Sequence, residues 1–246
     1  MPRGSTSIAT DEIDQFSHYA EDWWNPDGAF RPLHRLNPLR IEYVRDHACK
    51  HFGRNSDTRH SLKGLKILDI GCGGGLLAEP LARLGGDVTG LDASENTIAV
   101  AKRHAKAMGL AIDYRATSVE ELAKTKNRYD LITALEVVEH VADLSSFFAA
   151  LVKLLKPDGL LIMSTLSRTP KSFLLGIVAA EYVLGWIPRG THDWKKFIRP
   201  SELVMRLEKN GLRAADLTGL IFNPLRGEFE LNKNDLDVNY MLTAKF

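Results

Sequence analysis

The sequence predicts an α/β fold of the Rossmann-like kind, a mostly parallel sheet with helices on both faces. Two observations carry this. Short apolar runs bounded by turn residues recur at 66–70, 87–91, 111–115, 129–135 and 159–165, and helical stretches lie between them at 76–84, 95–108, 119–123 and 144–155. That alternation is the signature of βαβ units. The first run leads through a glycine turn into a helix, Leu68-Asp69-Ile70-Gly71-Cys72-Gly73-Gly74-Gly75-Leu76, an arrangement used to bring backbone close to a ligand.

The elements follow in order. A weak helical pattern over 8–22 precedes the aromatic-rich Trp23-Trp24-Asn25-Pro26-Asp27-Gly28; these tryptophans read as packing or lid residues. Asn37-Pro38 reads as a helix start, with Pro38 in the first turn and Leu39, Tyr43 and Val44 at helical spacing after it. The polar stretch 53–64 reads as a linker. The organisation expected is therefore a helical extension and linker over 1–64 and one domain over 65–246, with an inserted apolar and basic segment at 168–200. Within the domain, Lys156-Pro157-Asp158-Gly159 marks a helix stop and turn, and a further helix over 201–210 ends at Gly211. The stretches 212–217 and 238–246 are expected to close the sheet as an antiparallel hairpin.

Bulk properties narrow the function. With 246 residues and 44% hydrophobic content the chain can bury a full core. Basic and acidic residues number 32 and 31, a formal net charge of +1, so no global field argues for nucleic acid. Cys49 and Cys72 are the only cysteines; their spacing suggests a reducing compartment and no zinc site. The first residues lack the apolar segment of a secretion signal. The longest apolar candidate, 173–186, is interrupted by Glu181 and is shorter than the roughly 20 residues that span a bilayer. A cytoplasmic protein is expected, peripheral at most to a membrane.

The glycine turn admits two readings. From Gly73, the spacing Gly73-x-Gly75-x-x-Ala78, with Asp92 nineteen residues on, fits a dinucleotide fingerprint. From Asp69, it is Asp-x-Gly-x-Gly-x-Gly, the pattern associated with S-adenosylmethionine. A pyrophosphate at a helix N-terminus wants amide donors and no carboxylate beside it. S-adenosylmethionine carries an ammonium and a sulfonium, which an acidic neighbour favours. Asp92, at the tip of the second run, is placed to hold ribose hydroxyls. The plainer role for Asp69 is a cap of the turn through local hydrogen bonds.

A second constellation follows the fourth run: Leu135-Glu136-Val137-Val138-Glu139-His140-Val141. If a helical turn begins there, Glu136, Glu139 and His140 share one face, suited to a divalent cation or a general base. The plainer reading is a Glu136–His140 helix pair worth a few tenths of a kcal/mol. Magnesium prefers oxygen ligands, so His140 alternatively acts as base. Asp69, Asp92, Glu136 and Ser164 all fall at the carboxyl ends of the apolar runs, where ligands bind in such sheets.

The Asp69–Gly75 motif together with Ala134-Leu135-Glu136-Val137-Val138-Glu139-His140-Val141 resembles class I S-adenosylmethionine-dependent methyltransferases. Asn37-Pro38-Leu39-Arg40, Ser164-Thr165-Leu166-Ser167-Arg168, Ala180-Glu181-Tyr182, Pro188-Arg189-Gly190-Thr191-His192-Asp193-Trp194, Lys196-Phe197-Ile198-Arg199-Pro200 and Asp237-Val238-Asn239-Tyr240-Met241 resemble the ubiquinone-biosynthesis O-methyltransferase family within that class. The resemblance implies a seven-stranded sheet with an antiparallel last strand. It implies methylation of ring hydroxyls on polyprenylated catechol or quinol intermediates at two steps, with other enzymes of that pathway as candidate partners. Carried over by position, it implies that Arg40, Gly71, Asp92 and Leu135 contact S-adenosylmethionine; Asp69 and Gly73 join them from the glycine motif. Methionine often stands in the family where this chain has Leu135. Eukaryotic relatives use the equivalents of Glu136, Glu139 and His140 for magnesium.

The chemistry so implied is an in-line displacement by a phenolate on a methyl sulfonium. A phenol has a pKa of about 10, so a base or a metal ion must assist. His140 is the expected base or metal ligand, with Glu136 and Glu139 orienting it or holding the ion. His192 is a second candidate base, or a loop histidine bonded to Asp193. Over 168–200 the cations Arg168, Lys171, Arg189, Lys195, Lys196 and Arg199 outnumber Glu181 and Asp193 by four. They flank an apolar run from Phe173, which suits an anionic lipid surface; a core or lid helix is the alternative. Three other readings stand beside these: a nicotinamide-dependent oxidoreductase, a non-catalytic S-adenosylmethionine-binding lipid adaptor, and a methyltransferase of another phenol.

Overall fold

The structure is a computed structural model that describes residues 20–175, 177 and 193–246. Most of the helical pattern expected over 8–22, most of the apolar run 173–186, and His192 lie outside the described residues. Strands β1 (Lys66–Ile70), β2 (Asp87–Asp92), β3 (Asp113–Ala116), β4 (Tyr129–Leu135) and β5 (Leu155–Leu166) alternate with helices, as expected. Helix α1 (Arg31–His51) precedes them; α2 (Ala78–Arg83), α3 (Glu95–Ala107), α4 (Val119–Leu122) and α5 (Leu144–Leu154) connect them; α6 (Pro200–Lys209) follows. β6 (Arg213–Asn223), β7 (Glu228–Asn232) and β8 (Asn239–Lys245) complete one sheet of order β3-β2-β1-β4-β5-β8-β6-β7. β1 to β5 pair in parallel, and β8 runs antiparallel to both β5 and β6.

Successive residues of one strand serve opposite layers, the period of two that a strand imposes. Leu68, Ile70 and Ile132 pack with Phe147, Leu151 and Leu203 on one side. Ile67 and Leu131 pack with Val44, Leu62, Leu81 and Ile98 on the other. Both faces are therefore covered, as parallel sheets require. The chain winds outward from β1 in one direction through β2 and β3 and in the other through β4 and β5. The crevice at the carboxyl ends of β1 and β4 is the topological switch point, where ligands bind in open α/β sheets.

Five local expectations are corrected. The sheet has eight strands rather than seven, because 228–232 forms β7. For the same reason the hairpin is β6–β7, and β8 slots between β5 and β6 instead of pairing across a turn. Helix α1 starts at Arg31 with Pro32 in its first turn, and Pro38 lies inside it. A mid-helix proline costs about 3 kcal/mol; burial of Tyr43, Val44, Ala48 and Cys49 further along the helix offsets that cost. The helix stop at Lys156–Gly159 holds, but these residues bulge within β5. Leu155 pairs with Tyr129, and pairing resumes at Leu160 with Leu131. The 53–64 stretch is more than a polar linker, since Leu62 is fully buried and its N–H donates to the Leu84 carbonyl. Among the described residues no helix is long and apolar enough to cross a membrane.

Candidate active site

Asp69 is the fourth residue of β1 and is 2% exposed. Thr133 of the neighbouring β4 donates its hydroxyl to Asp69 Oδ1 at 2.7 Å, while Oδ2 is buried without a partner among the described residues. Burial pushes the Asp69 carboxyl up to about 7; the Thr133 bond opposes this, Asp92 adds to it and Arg40 moderates it. Asp69 thus bonds to β4 rather than to the backbone of the glycine turn. It is a buried acid with one oxygen still to be satisfied, and an unpaired buried oxygen is costly.

The glycine turn folds tightly for reasons internal to the protein. Gly71 and Gly73 have φ of +67° and +52°, the region where an L side chain is disfavoured. A Cβ on Gly71 would lie 2.5 Å from Val137 Cγ2, and one on Gly73 would lie 2.3 Å from Trp23 Cη2. The protein's own Val137 and Trp23 close on these two glycines, so internal packing by itself already requires bare backbone here.

Asp92 ends β2, half-buried. Gly73 N–H donates to its Oδ2 at 3.0 Å and Ser94 N–H to its Oδ1 at 2.9 Å. Burial raises its pKa while these amides counter the rise. Ser94 in turn caps α3 by accepting from Thr97 N–H. The glycine turn, Asp92 and the start of α3 are therefore one bonded unit.

Glu136 follows β4 and is the sole non-glycine residue with positive φ, +55°, among the described residues. Strain of this kind persists where surrounding contacts over-determine it. Its N–H donates to the Ser164 carbonyl at 3.0 Å. Its Oε1 accepts from Arg40 Nη2 at 2.9 Å, Ser164 Oγ at 2.6 Å and Asn239 Nδ2 at 3.1 Å. Arg40 is buried, brought there by α1. Leu135, half-buried, pairs with Ser164 across β4 and β5.

Glu139 and His140 belong to a short 3₁₀ turn, Val138–His140. Glu136 stands outside that turn in left-handed backbone, so the shared α-helical face expected for Glu136, Glu139 and His140 does not form. Glu139 is buried; Thr165 Oγ1 donates to its Oε2 at 2.9 Å and its Oε1 has no partner. Burial first, then the Glu136 charge, pushes its pKa well above the usual carboxylate range, against the pull of His140. His140 is half-buried beside it. Among the described residues no three His, Cys, Asp or Glu side chains group closely enough to hold a metal ion. The magnesium site expected at Glu136, Glu139 and His140 does not fit, because three donors already surround Glu136 Oε1 and Glu139 points to Thr165.

The site therefore joins Asp69, Gly71, Gly73, Asp92, Leu135, Glu136 and Arg40 at the strand ends, with Glu139 and His140 next to Glu136. Thr133, Thr165, Val137 and Trp23 complete it without having been singled out for it from the sequence. Asn239 lay within a recognised segment, but nothing in that segment signals its bond to Glu136.

A curated relative from Rhizobium leguminosarum bv. trifolii (strain WSM2304), a ubiquinone biosynthesis O-methyltransferase, is 50% identical over 246 residues, which is 100% of this chain and 97% of the relative. One of the same name from Bartonella bacilliformis (strain ATCC 35685 / KC583 / Herrer 020/F12,63) is 52% identical over 240 residues, 98% of this chain and 96% of that one. The chain belongs to the ubiquinone biosynthesis O-methyltransferase family. A methyltransferase-domain model matches residues 68–163 of this O-methyltransferase, from β1 into β5. Its fold is also that of a solved magnesium protoporphyrin IX methyltransferase from Synechocystis PCC 6803 with bound SAH, at a TM-score of 0.63, 20% identity and 94% coverage of each chain.

Proposed function

We propose that this chain transfers a methyl group from S-adenosylmethionine to a ring hydroxyl of polyprenylated catechol or quinol intermediates of ubiquinone biosynthesis, at both O-methylation steps. The observation that carries the reading is the convergence of Asp69, Asp92 and the Arg40–Glu136 pair at the switch point, in a chain half identical to such enzymes along its whole length. The orphan oxygen of Asp69 fits a cationic methyl donor better than a pyrophosphate. When bound, S-adenosylmethionine supplies an electrophilic methyl carbon. The residues supply the rest. Asp92 holds the ribose hydroxyls, Asp69 faces positive charge, and Arg40, Ser164 and Asn239 lock Glu136 in its strained backbone. His140 takes the phenol proton, the general-base role an imidazole serves beside a reacting hydroxyl. Glu139, carrying its own proton readily because it is buried, raises no competing demand for it. Alignment of donor and acceptor supplies the larger share of the rate. The reading is tested by mass-spectrometric detection of methyl transfer to a demethylated prenylated quinol; product is expected with S-adenosylmethionine as donor and none without it.

A second reading concerns where the substrate is met. Phe173, Leu174 and Leu175 are 47%, 59% and 46% exposed and consecutive, unusual for apolar side chains on a soluble face. They support peripheral contact with a lipid surface that holds the prenyl tail. The electrostatic part is weaker than composition suggested. Arg168 is paired with Glu202, and Lys171 with Asp235 and Asp237. Binding to vesicles should therefore depend more on Phe173→Ser, Leu174→Ser and Leu175→Ser than on the anionic lipid fraction; co-sedimentation unaffected by the triple change would remove the reading.

A further inference from the structure

Trp23 is packed against the glycine turn and has an unmet hydrogen bond. Its ring stacks on Phe30 at 3.8 Å, and its carbonyl is bonded to His34 Nε2 at 2.9 Å. It lies over Gly73 and Gly74, where added Cβ atoms would come within 2.3 and 2.6 Å of it. Gly73 is the residue whose N–H reaches Asp92. The indole, the turn and the carboxylate at the end of β2 thus meet at a single residue.

The segment carrying Trp23 is latched in place. Trp24 Nε1 donates to the Gly74 carbonyl at 3.0 Å, and its ring stacks on His104 at 3.5 Å. Asn37 Nδ2 donates to the Leu76 carbonyl at 2.6 Å. Trp24 therefore satisfies its indole N–H inside the protein. Trp23 does not: it is 8% exposed, and its Nε1 is buried without an acceptor among the described residues. An indole N–H is a donor only, and buried tryptophans usually find a partner for it. Packing alone would be served by phenylalanine at no such cost.

We propose that Trp23 is a cofactor-contacting residue, whose indole N–H donates to an oxygen or nitrogen acceptor of S-adenosylmethionine bound at the switch point. This rests on the reading of S-adenosylmethionine as methyl donor. The donor offers a carboxylate, ribose hydroxyls and adenine nitrogens, all acceptors; the described residues of the protein offer Trp23 Nε1 none.

The test uses the full chain and S-adenosylhomocysteine in a calorimeter. Trp23→Phe keeps an aromatic ring but no N–H, and should weaken binding about three- to tenfold, the worth of one hydrogen bond. In parallel, the chain labelled with ¹⁵N-tryptophan shows four indole signals, one per tryptophan; the Trp23 signal, assigned by single Phe variants at the others, should move downfield at saturation. Unchanged affinity in Trp23→Phe, or a Trp23 signal that stays in place while wild-type protein binds, overturns the assignment. Failure of the wild-type chain to bind at all takes the cofactor reading down with it.

Discussion

At the scale of single residues, the site is held by acids in unlike surroundings. Asp69 has a folded-state pKa of about 7 through burial, against about 3.9 when unfolded. Between those values the folded chain keeps a proton that the unfolded chain has released. This group's contribution to stability is therefore fullest at low pH and is lost as pH rises from about 4 to about 7, by up to about 4 kcal/mol. Denaturation of Asp69→Asn across that range should show a flatter dependence on pH than wild type, with the acceptor for Thr133 retained. An identical slope would place the orphan oxygen elsewhere than in the interior. Asp92 should act differently. Its removal in Asp92→Ala loses a charge-assisted acceptor, worth about 1.5–3 kcal/mol, so S-adenosylhomocysteine should bind at least tenfold more weakly by calorimetry. His140→Gln should lower kcat by about a hundredfold or more and leave that affinity within twofold. A fall in affinity as large as the fall in kcat would make His140 a binding residue instead.

At the scale of elements, the glycine turn was legible in the sequence, and the structure adds an internal packing reason for its glycines. Gly73→Ala places a Cβ in left-handed backbone and against the Trp23 ring. It should cost about 2 kcal/mol or more, read as a lower melting temperature of the ligand-free protein; a site that needed glycine only for the ligand would melt normally. β1 and β4 were legible to the residue, because each is an apolar run with turn residues at both ends. Pro38 misled because Asn37-Pro38 carries the same local signal as a true helix start, while the contacts that carry α1 through it lie elsewhere in the chain. β7 and the β5 bulge were hidden for a like reason: each depends on a neighbouring strand, not on its own residues. The candidate site divides in the same way. Asp69, Asp92 and Glu136 stood out as motif residues at strand ends. Asn239 meets Glu136 from 103 positions away, and no local pattern announces such a contact.

At the scale of the whole molecule, the two directions of winding open one crevice, and α1 with the tryptophan segment closes over it from the amino-terminal side. The helical extension that precedes β1 shares its core with the sheet through Val44 and Ala48. The two proposals, a nucleoside donor at the turn and a prenylated acceptor met at the exposed Phe173–Leu175 surface, are those of one catalyst. The most direct measurement is the stoichiometry of a single reaction: purified chain, S-adenosylmethionine and a demethylated prenylated quinol, with both products followed by mass spectrometry. One methylated quinol should appear for each S-adenosylhomocysteine formed. Tight uptake of S-adenosylhomocysteine with no methylation of either the catechol or the quinol substrate would contradict the assignment.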